Sequence, residues 1–246
     1  MRGIILYASG SEYQRQADVC AESIYRHNKD ISITTMVKDQ DSRFATDGRC
    51  NIYEESIYDE TIVLDTDTLV LENLDYVWDC LSQQDIYYPT SVFTFRGDVV
   101  KDNFYRKTFV KNKLPNVYNA FYYFKKSKAA EEFYKVQKEV NDNWEIVYPE
   151  FCNFLCPSKP SMDVNAAITT LITGTSFYKS HIPHLVHMKP RIQGWQNDPE
   201  RWQDKVGVYV TDQCELFIGN YKQQGIFHYT ENDFLTDSIV EKFSNA

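Results

Sequence analysis

Two carboxylates one residue apart close a run of apolar residues in Ile62-Val63-Leu64-Asp65-Thr66-Asp67-Thr68-Leu69-Val70. Successive side chains on a strand point to opposite faces, yet a turn at Thr66 can aim Asp65 and Asp67 at one ion. Hard divalent cations prefer oxygen ligands, so the expected guest is Mn²⁺ or Mg²⁺. A cation held there would neutralise a diphosphate and make it a better leaving group. The bland alternative is a pair of turn aspartates capping a helix.

A second stretch with chemistry is His187-Met188-Lys189-Pro190-Arg191-Ile192-Gln193-Gly194-Trp195-Gln196. It offers two cations, an indole and amides on a loop punctuated by Pro and Gly. Lys189 or Trp195 is expected to touch a phosphate- or sugar-bearing ligand. His181, His184 and His187 repeat every three residues, but Pro183 argues against the helix that would align them, so they read as ordinary strand and loop histidines. Cys152 and Cys156 lack the second pair that a zinc site needs.

The elements that must position the aspartates follow from periodicity. Gly3 to Ala8 is an apolar run suited to a strand covered on both faces. Ser9-Gly10-Ser11 reads as a turn able to cap a helix over Glu12 to His27, with Ala17, Cys20, Ala21 and Ile24 at helical spacing. Ile31 to Val37 and Thr61 to Leu64 read as further strands, then Leu69 to Leu71, with a short helix over Leu74 to Leu81. Strands alternating with a helix predict a mostly parallel sheet with right-handed crossovers, whose ligands bind at the carboxyl ends of strands, where Asp65 and Asp67 fall. Further on, Val117 to Phe124 reads as a strand and Ser127 as the cap of a helix to about Val140. A second helix runs from Asp163 to about Ile172, behind Ser161. Pro183, Pro190 and Pro199 then break the chain into strands and loops, and Tyr221 to Asp233 reads as extended. With no repeat or linker, one domain spans 1–246.

The chain has 246 residues, and its 26 basic against 35 acidic residues leave a formal charge of −9, which disfavours nucleic acid and anionic membrane as general partners. Basic residues between Lys101 and Lys113, and at Lys125, Lys126 and Lys128, read as solvated faces. Aromatic content of 15% fits a carbohydrate or nucleotide site, or a Tyr-rich core. The first residues are too short and too soon polar for a signal peptide, and no apolar run approaches the ~20 residues of a membrane span. The expectation is a cytoplasmic protein with free thiols and no membrane partner.

Leu64-Asp65-Thr66-Asp67-Thr68-Leu69-Val70-Leu71-Glu72-Asn73-Leu74 resembles the core of the glycogenin-like family-eight glycosyltransferases. The resemblance implies a GT-A fold, that is, an α/β Rossmann-like nucleotide-diphospho-sugar transferase with a mostly parallel central sheet flanked by helices. It implies a nucleotide-binding part over about 1–125 and an acceptor-side part over about 126–246. It further implies a UDP-sugar donor, Mn²⁺ and retention of anomeric configuration. By the same resemblance Tyr7, Ala8 and Ser9 border the nucleotide and Tyr13 stacks on its base. Arg49, Asp65 and Thr66 lie near the donor phosphates, and Asn119 and Asp163 contact the donor sugar at the reaction centre. His228 joins Asp65 and Asp67 on the metal. The chain departs from the family pattern at Phe121 in place of a glycine, at Val164 in place of a glutamine, and at Thr230-Glu231-Asn232 in place of a glycine and Lys-Pro.

The acceptor stays open among a glycan, a lipid-linked precursor, a protein tyrosine and a hydroxymethylated base in DNA, the last because similar compact enzymes occur in bacteriophages. A non-catalytic nucleotide-sugar-binding module is a competing reading. So is a phosphatase of the haloacid dehalogenase type, although its motif normally continues with Gly-Thr, where Thr68-Leu69 stands here.

Overall fold

The computed structural model describes residues 1–8, 10, 13–37, 46–100, 106–153, 155–189 and 206–244. The first half comprises β1 (Arg2–Ala8), α1 (Gln14–His27), β2 (Ser32–Val37), the short α2 (Asp47–Cys50) and α3 (Ile52–Glu55), then β3 (Glu60–Asp65), β4 (Thr68–Val70), α4 (Asp75–Leu81), β5 (Ile86–Tyr87) and α5 (Lys107–Asn112). The second half comprises β6 (Phe121–Lys125), α6 (Lys128–Asp142), α7 (Trp144–Phe151), α8 (Met162–Thr173), β7 (Leu185–His187), β8 (Val208–Val210), β9 (Leu216–Ile218), β10 (Tyr221–Lys222), β11 (Ile226–His228) and a last helix, Asp237–Ser244.

The central sheet has the order β2-β1-β3-β6-β5. β1 pairs in parallel with β2 and β3, whereas β6 is antiparallel to both β3 and β5. Four strands therefore run one way and β6 runs against them, so the sheet is mostly parallel, with helices on both faces. The pleat sorts its residues between two cores. Ile5, Tyr7, Val63, Tyr122 and Phe124 face a cluster containing Phe133 of α6 and Ile168 of α8. Ile4, Leu6, Ile62, Leu64, Phe121 and Tyr123 face one containing Cys20 and Ile24 of α1 and Trp78 of α4. Buried on both faces, β1 and β3 read as continuous apolar runs because neither face meets water.

A smaller sheet, β4-β11-β7, sits beside the first, and β8, β9 and β10 form a third. Helix α6 starts where expected, with the Ser127 hydroxyl accepting from Ala130 N at 3.2 Å. Helix α1 begins later than expected, at Gln14, and Tyr13 at its cap makes no side-chain bond. Ser9, Ser11 and Glu12 lie outside the described residues. The strand expected from Val117 begins only at Phe121. The extended stretch expected from Tyr221 is interrupted by Gly225 (φ +68°) and ends in a 3-10 turn at Asn232–Phe234. Among the described residues no helix is long and apolar enough to cross a membrane, and all six cysteines are free thiols.

Candidate functional site

Asp65 is the last residue of β3, and its N–H donates to Ala120 O at 3.0 Å just ahead of β6. After the buried Thr66, the chain turns into β4, which pairs antiparallel with β11 so that Thr68 lies opposite His228. Tyr229 N–H closes the same ladder by donating to Asp67 O at 3.0 Å. The ladder thus delivers an imidazole from residue 228 to the two carboxylates. His228 Nε2 lies 3.1 Å from Asp67 Oδ2 and 4.0 Å from Asp65 Oδ2. One ligand atom from each of the three residues fits within 4.8 Å of the others, the only such group of three acidic, His or Cys residues among the described residues. Two carboxylate oxygens and one imidazole nitrogen suit Mn²⁺ or a similar divalent ion, with further coordination positions left for a ligand.

The electrostatics are those of a crowded, desolvated site. Burial raises the Asp65 carboxyl above its ordinary value, although Arg49, 2.6 Å away, opposes the rise. Burial acts on Asp67 in the same sense, but the charge of His228 and its hydrogen bond outweigh it and hold Asp67 low. His228 is the mirror case, since burial would lower it and the two aspartates raise it.

Two cavities flank this centre. One, of about 240 Å³, is lined by Tyr7, Tyr13, Gln16, Thr46, Arg49, Asp65, Thr66 and Asp67. The Arg49 guanidinium, carried by α2, lies 5.3 Å from the Tyr7 ring centroid. A Cβ on neighbouring Gly48 would collide with the Tyr7 hydroxyl, so glycine lets α2 approach β1. Ala8 is fully buried and lines neither cavity, while Ser9 and Trp195 lie outside the described residues.

The other cavity, of about 200 Å³, shares Arg49 and Asp65 and adds Asn119, Asp163, His187, exposed Lys189 and His228 among its walls. Asp163, in the first turn of α8, accepts from Asn119 N–H at 2.8 Å on one oxygen and from Arg106 at 2.9 Å on the other. Both amide atoms of Asn119 are buried and have no hydrogen-bond partner among the described residues, an arrangement that costs about 1–3 kcal/mol unless a ligand or solvent satisfies it. Phe121 is fully buried in the core facing α1 and α4, so its ring stays out of the cavity.

Two residues at this site escape sequence reasoning. Arg106 belongs to the basic stretch expected on a solvated face. It is instead buried, with its guanidinium 3.8 Å from the Phe109 ring centroid and 4.2 Å from that of Tyr118, and it also donates to Val117 O. His187 ends β7 beside His228, with the two Nδ1 atoms 2.8 Å apart. His181 and His184 pack instead against Phe93.

No protein-family model matches the chain, and no curated protein matches it. In structure it is similar to the galactosyltransferase LgtC, crystallised with donor and acceptor sugar analogues, at 14% identity and a TM-score of 0.56 over 98% of this chain and 94% of that one. It is similar to the apo glycosyltransferase GlyE of Streptococcus pneumoniae TIGR4, at 13% identity and 0.51, where 95% of this chain spans 55% of GlyE. It is also similar to mouse xyloside xylosyltransferase 1, at 10% identity and 0.51, covering 96% of this chain and all of that one. Identities this low speak to architecture, and the architecture is the GT-A fold of these glycosyltransferases.

Proposed function

We propose that this chain is a metal-dependent glycosyltransferase that moves a hexose or pentose from a nucleotide-diphosphate donor, most simply a UDP-sugar, to an acceptor hydroxyl with retention. The observation that carries the reading is the convergence of Asp65, Asp67 and His228 at the carboxyl end of a sheet strand, between two polar cavities. These three residues would hold Mn²⁺ or Mg²⁺, which when bound neutralises charge on a diphosphate leaving group.

The remaining roles belong to the chain itself. Arg49 presents a guanidinium fork suited to a phosphate. Tyr13 offers a half-exposed ring for the base, and Tyr7 holds Arg49 in place. Asn119 can donate to and accept from sugar hydroxyls, and the Asp163 carboxylate can accept from them. Asp163 already takes one hydrogen bond on each oxygen, so it is fixed in orientation and serves better as an acceptor than as a mobile nucleophile. Lys189 supplies a further cation at the mouth. Trp195 and Ser9 stay in the proposal on sequence grounds alone. A single domain and a cytoplasmic location belong to the same reading, and His228 and Asp163 tie residues 126–246 into the nucleotide side. A haloacid dehalogenase-type nucleophile fits less well, because Asp65 is engaged by Arg49 at 2.6 Å. Duplex DNA as acceptor also loses support: Arg106 is buried, and Lys125 pairs with Asp85.

The test is donor hydrolysis and calorimetric binding with a panel of nucleotide sugars, with and without Mn²⁺, on wild type and Asp67→Asn. One donor should bind and be slowly hydrolysed only with metal, and the substitution should reduce hydrolysis about 100-fold or more. Donor binding without hydrolysis or transfer would favour the non-catalytic module. Binding of no nucleotide sugar under either condition would end the proposal.

A further inference from the structure

Arg106 stands immediately ahead of α5, and its carbonyl accepts from Phe109 N–H at 3.0 Å and from Val110 N–H at 3.1 Å. That first turn brings the Phe109 ring beside the Arg106 side chain. The Tyr118 ring arrives from the segment leading into β6, which is held where Tyr118 N–H donates to Pro89 O at 2.9 Å. The guanidinium carbon lies 3.8 Å from the Phe109 ring centroid and 4.2 Å from that of Tyr118. A planar guanidinium stacks through its faces and donates through its edge. Here the edge is shared, with Nη1 donating to Asp163 Oδ2 at 2.9 Å and Nη2 donating to Val117 O. Asp163 Oδ1 in turn accepts from Asn119 N–H at 2.8 Å. One fork therefore joins α5, the segment 117–119 and the first turn of α8.

The energetics argue that this contact orients more than it stabilises. The Arg106 side chain is 4% exposed, so its charge has left water. A buried ion pair of this kind adds little net stability over apolar side chains of similar size. The Asp163 side chain, by contrast, is 34% exposed and opens on the cavity of about 200 Å³, whose described walls do not include Arg106. A carboxylate offers about four lone-pair sites. Arg106 and the Asn119 N–H take one each, on different oxygens, and the remainder can accept from a ligand in the cavity.

Resting on the glycosyltransferase reading, we infer that Arg106 is a positioning residue. It fixes the Asp163 carboxylate that accepts from donor-sugar hydroxyls, and it leaves the nucleotide's own contacts alone. Tyr13, Arg49, Asp65 and Asp67 line the other cavity, where Arg106 is not among the described walls. A lysine at 106 would carry the same charge but lack the planar fork that holds Asp163 and Val117 O while resting on two rings.

The experiment compares wild type, Arg106→Lys, Asp163→Ala and the double variant by calorimetry in Mn²⁺, with UDP and with a panel of UDP-sugars that includes UDP-glucose, UDP-galactose and UDP-xylose. Melting curves check folding, and hydrolysis of the bound UDP-sugar is followed alongside. In Arg106→Lys the affinity for UDP should stay within about twofold of wild type, while that for the UDP-sugar falls about tenfold and its hydrolysis about 10–100-fold. The double variant should lose little beyond Asp163→Ala, because a residue that acts through another does not add to its loss. Unchanged UDP-sugar affinity in Arg106→Lys, an equal fall for UDP and UDP-sugar, or losses that multiply in the double variant would each overturn the inference. Should Arg106→Lys melt early, Phe109→Leu takes its place, since it loosens the stack and keeps the partners of the fork. An unchanged ratio of UDP-sugar to UDP affinity in that variant overturns the inference as well. If wild type binds no nucleotide sugar, the glycosyltransferase reading falls and the inference with it; if wild type binds one and the variants bind it equally well, the inference alone falls.

Discussion

An imidazole ligates a metal only through a nitrogen that keeps its lone pair, and the contact between His187 and His228 decides which nitrogen that is. With the two Nδ1 atoms 2.8 Å apart, one must donate and the other accept. Burial, then the charge of His228, hold His187 well below its ordinary value, so His187 is the neutral acceptor and carries its proton on Nε2. His228 therefore donates through Nδ1, leaving Nε2 facing Asp67 and Asp65. The pH dependence has two opposed signs. Without metal, the Asp67–His228 pair stabilises the fold most fully above the ordinary aspartate value of 3.8 and below the ordinary histidine value of 6.5. The Asp67 contribution is lost as pH falls through its lowered value, and the His228 contribution as pH rises through its raised value. Metal binding runs the other way at the upper edge, because it must displace the His228 proton. Mn²⁺ affinity should therefore keep rising above pH 6.5 until it passes the raised value of His228. In His187→Phe, whose His228 Nδ1–H has no acceptor, affinity should fall about 10–100-fold across that range. Calorimetric titration with Mn²⁺ between about pH 5.5 and about pH 8.5, which brackets the ordinary histidine range, checks both. An unchanged affinity in the variant would remove His187 from the site.

At the scale of elements, β11 is only three residues long, and its place depends on the residue before it. Gly225 has φ +68°, and a Cβ there would strike His184 O, whose other role is to accept from Ile226 N–H at 2.8 Å. Gly225→Ala adds a left-handed alanine and a backbone clash, so it should cost about 2 kcal/mol or more and shift His228 off the aspartates. Gly174, the C-cap of α8, has φ +66° but open space around it. Gly174→Ala should cost only about 1 kcal/mol and leave Mn²⁺ affinity unchanged. Urea unfolding and Mn²⁺ titration of both variants distinguish the cases, and equal metal affinity in both would mean that β11 tolerates displacement. The same contrast explains what the sequence made legible. Helix α6 declares itself through the Ser127 cap and a long apolar period, α8 through its apolar run alone, and β3 through a run of buried residues ending in acids. Strands β4, β7 and β11 carry three residues each, too few for a period, and exist because they pair across long stretches of chain, 41 residues from His187 to His228 and 162 from Asp67 to Tyr229. Arg106 looked like surface charge because the rings of Phe109 and Tyr118 that enclose it meet only in the fold.

At the scale of the whole molecule, the site joins residues from Tyr7 to His228, so a ligand spanning both cavities ties β1, α2, β3, α8 and β11 together. The electrostatics set the order in which ligands can do this. Without a cation, a nucleotide diphosphate would face Asp65 and Asp67 with Arg49 already committed to Asp65 at 2.6 Å, on a chain of formal charge −9. With a cation on the three ligands, the carboxylates are neutralised and Arg49 can turn to the phosphates. Metal and nucleotide should therefore bind with positive coupling, and thermodynamic reciprocity requires each to strengthen the other by the same factor. A ligand at about 100 times its Kd stabilises the native state by about 2.7 kcal/mol, which is roughly 5–10 °C in Tm for a chain of this length. UDP with Mn²⁺ should reach that range, while UDP with chelator should shift Tm by at most a degree or so, and Mn²⁺ alone by an intermediate amount. Thermal melts of the four combinations, repeated on Asp65→Asn, measure the coupling. Equal stabilisation by UDP with and without chelator would mean that the nucleotide avoids the aspartates, and the charge argument that links the two cavities would then fail.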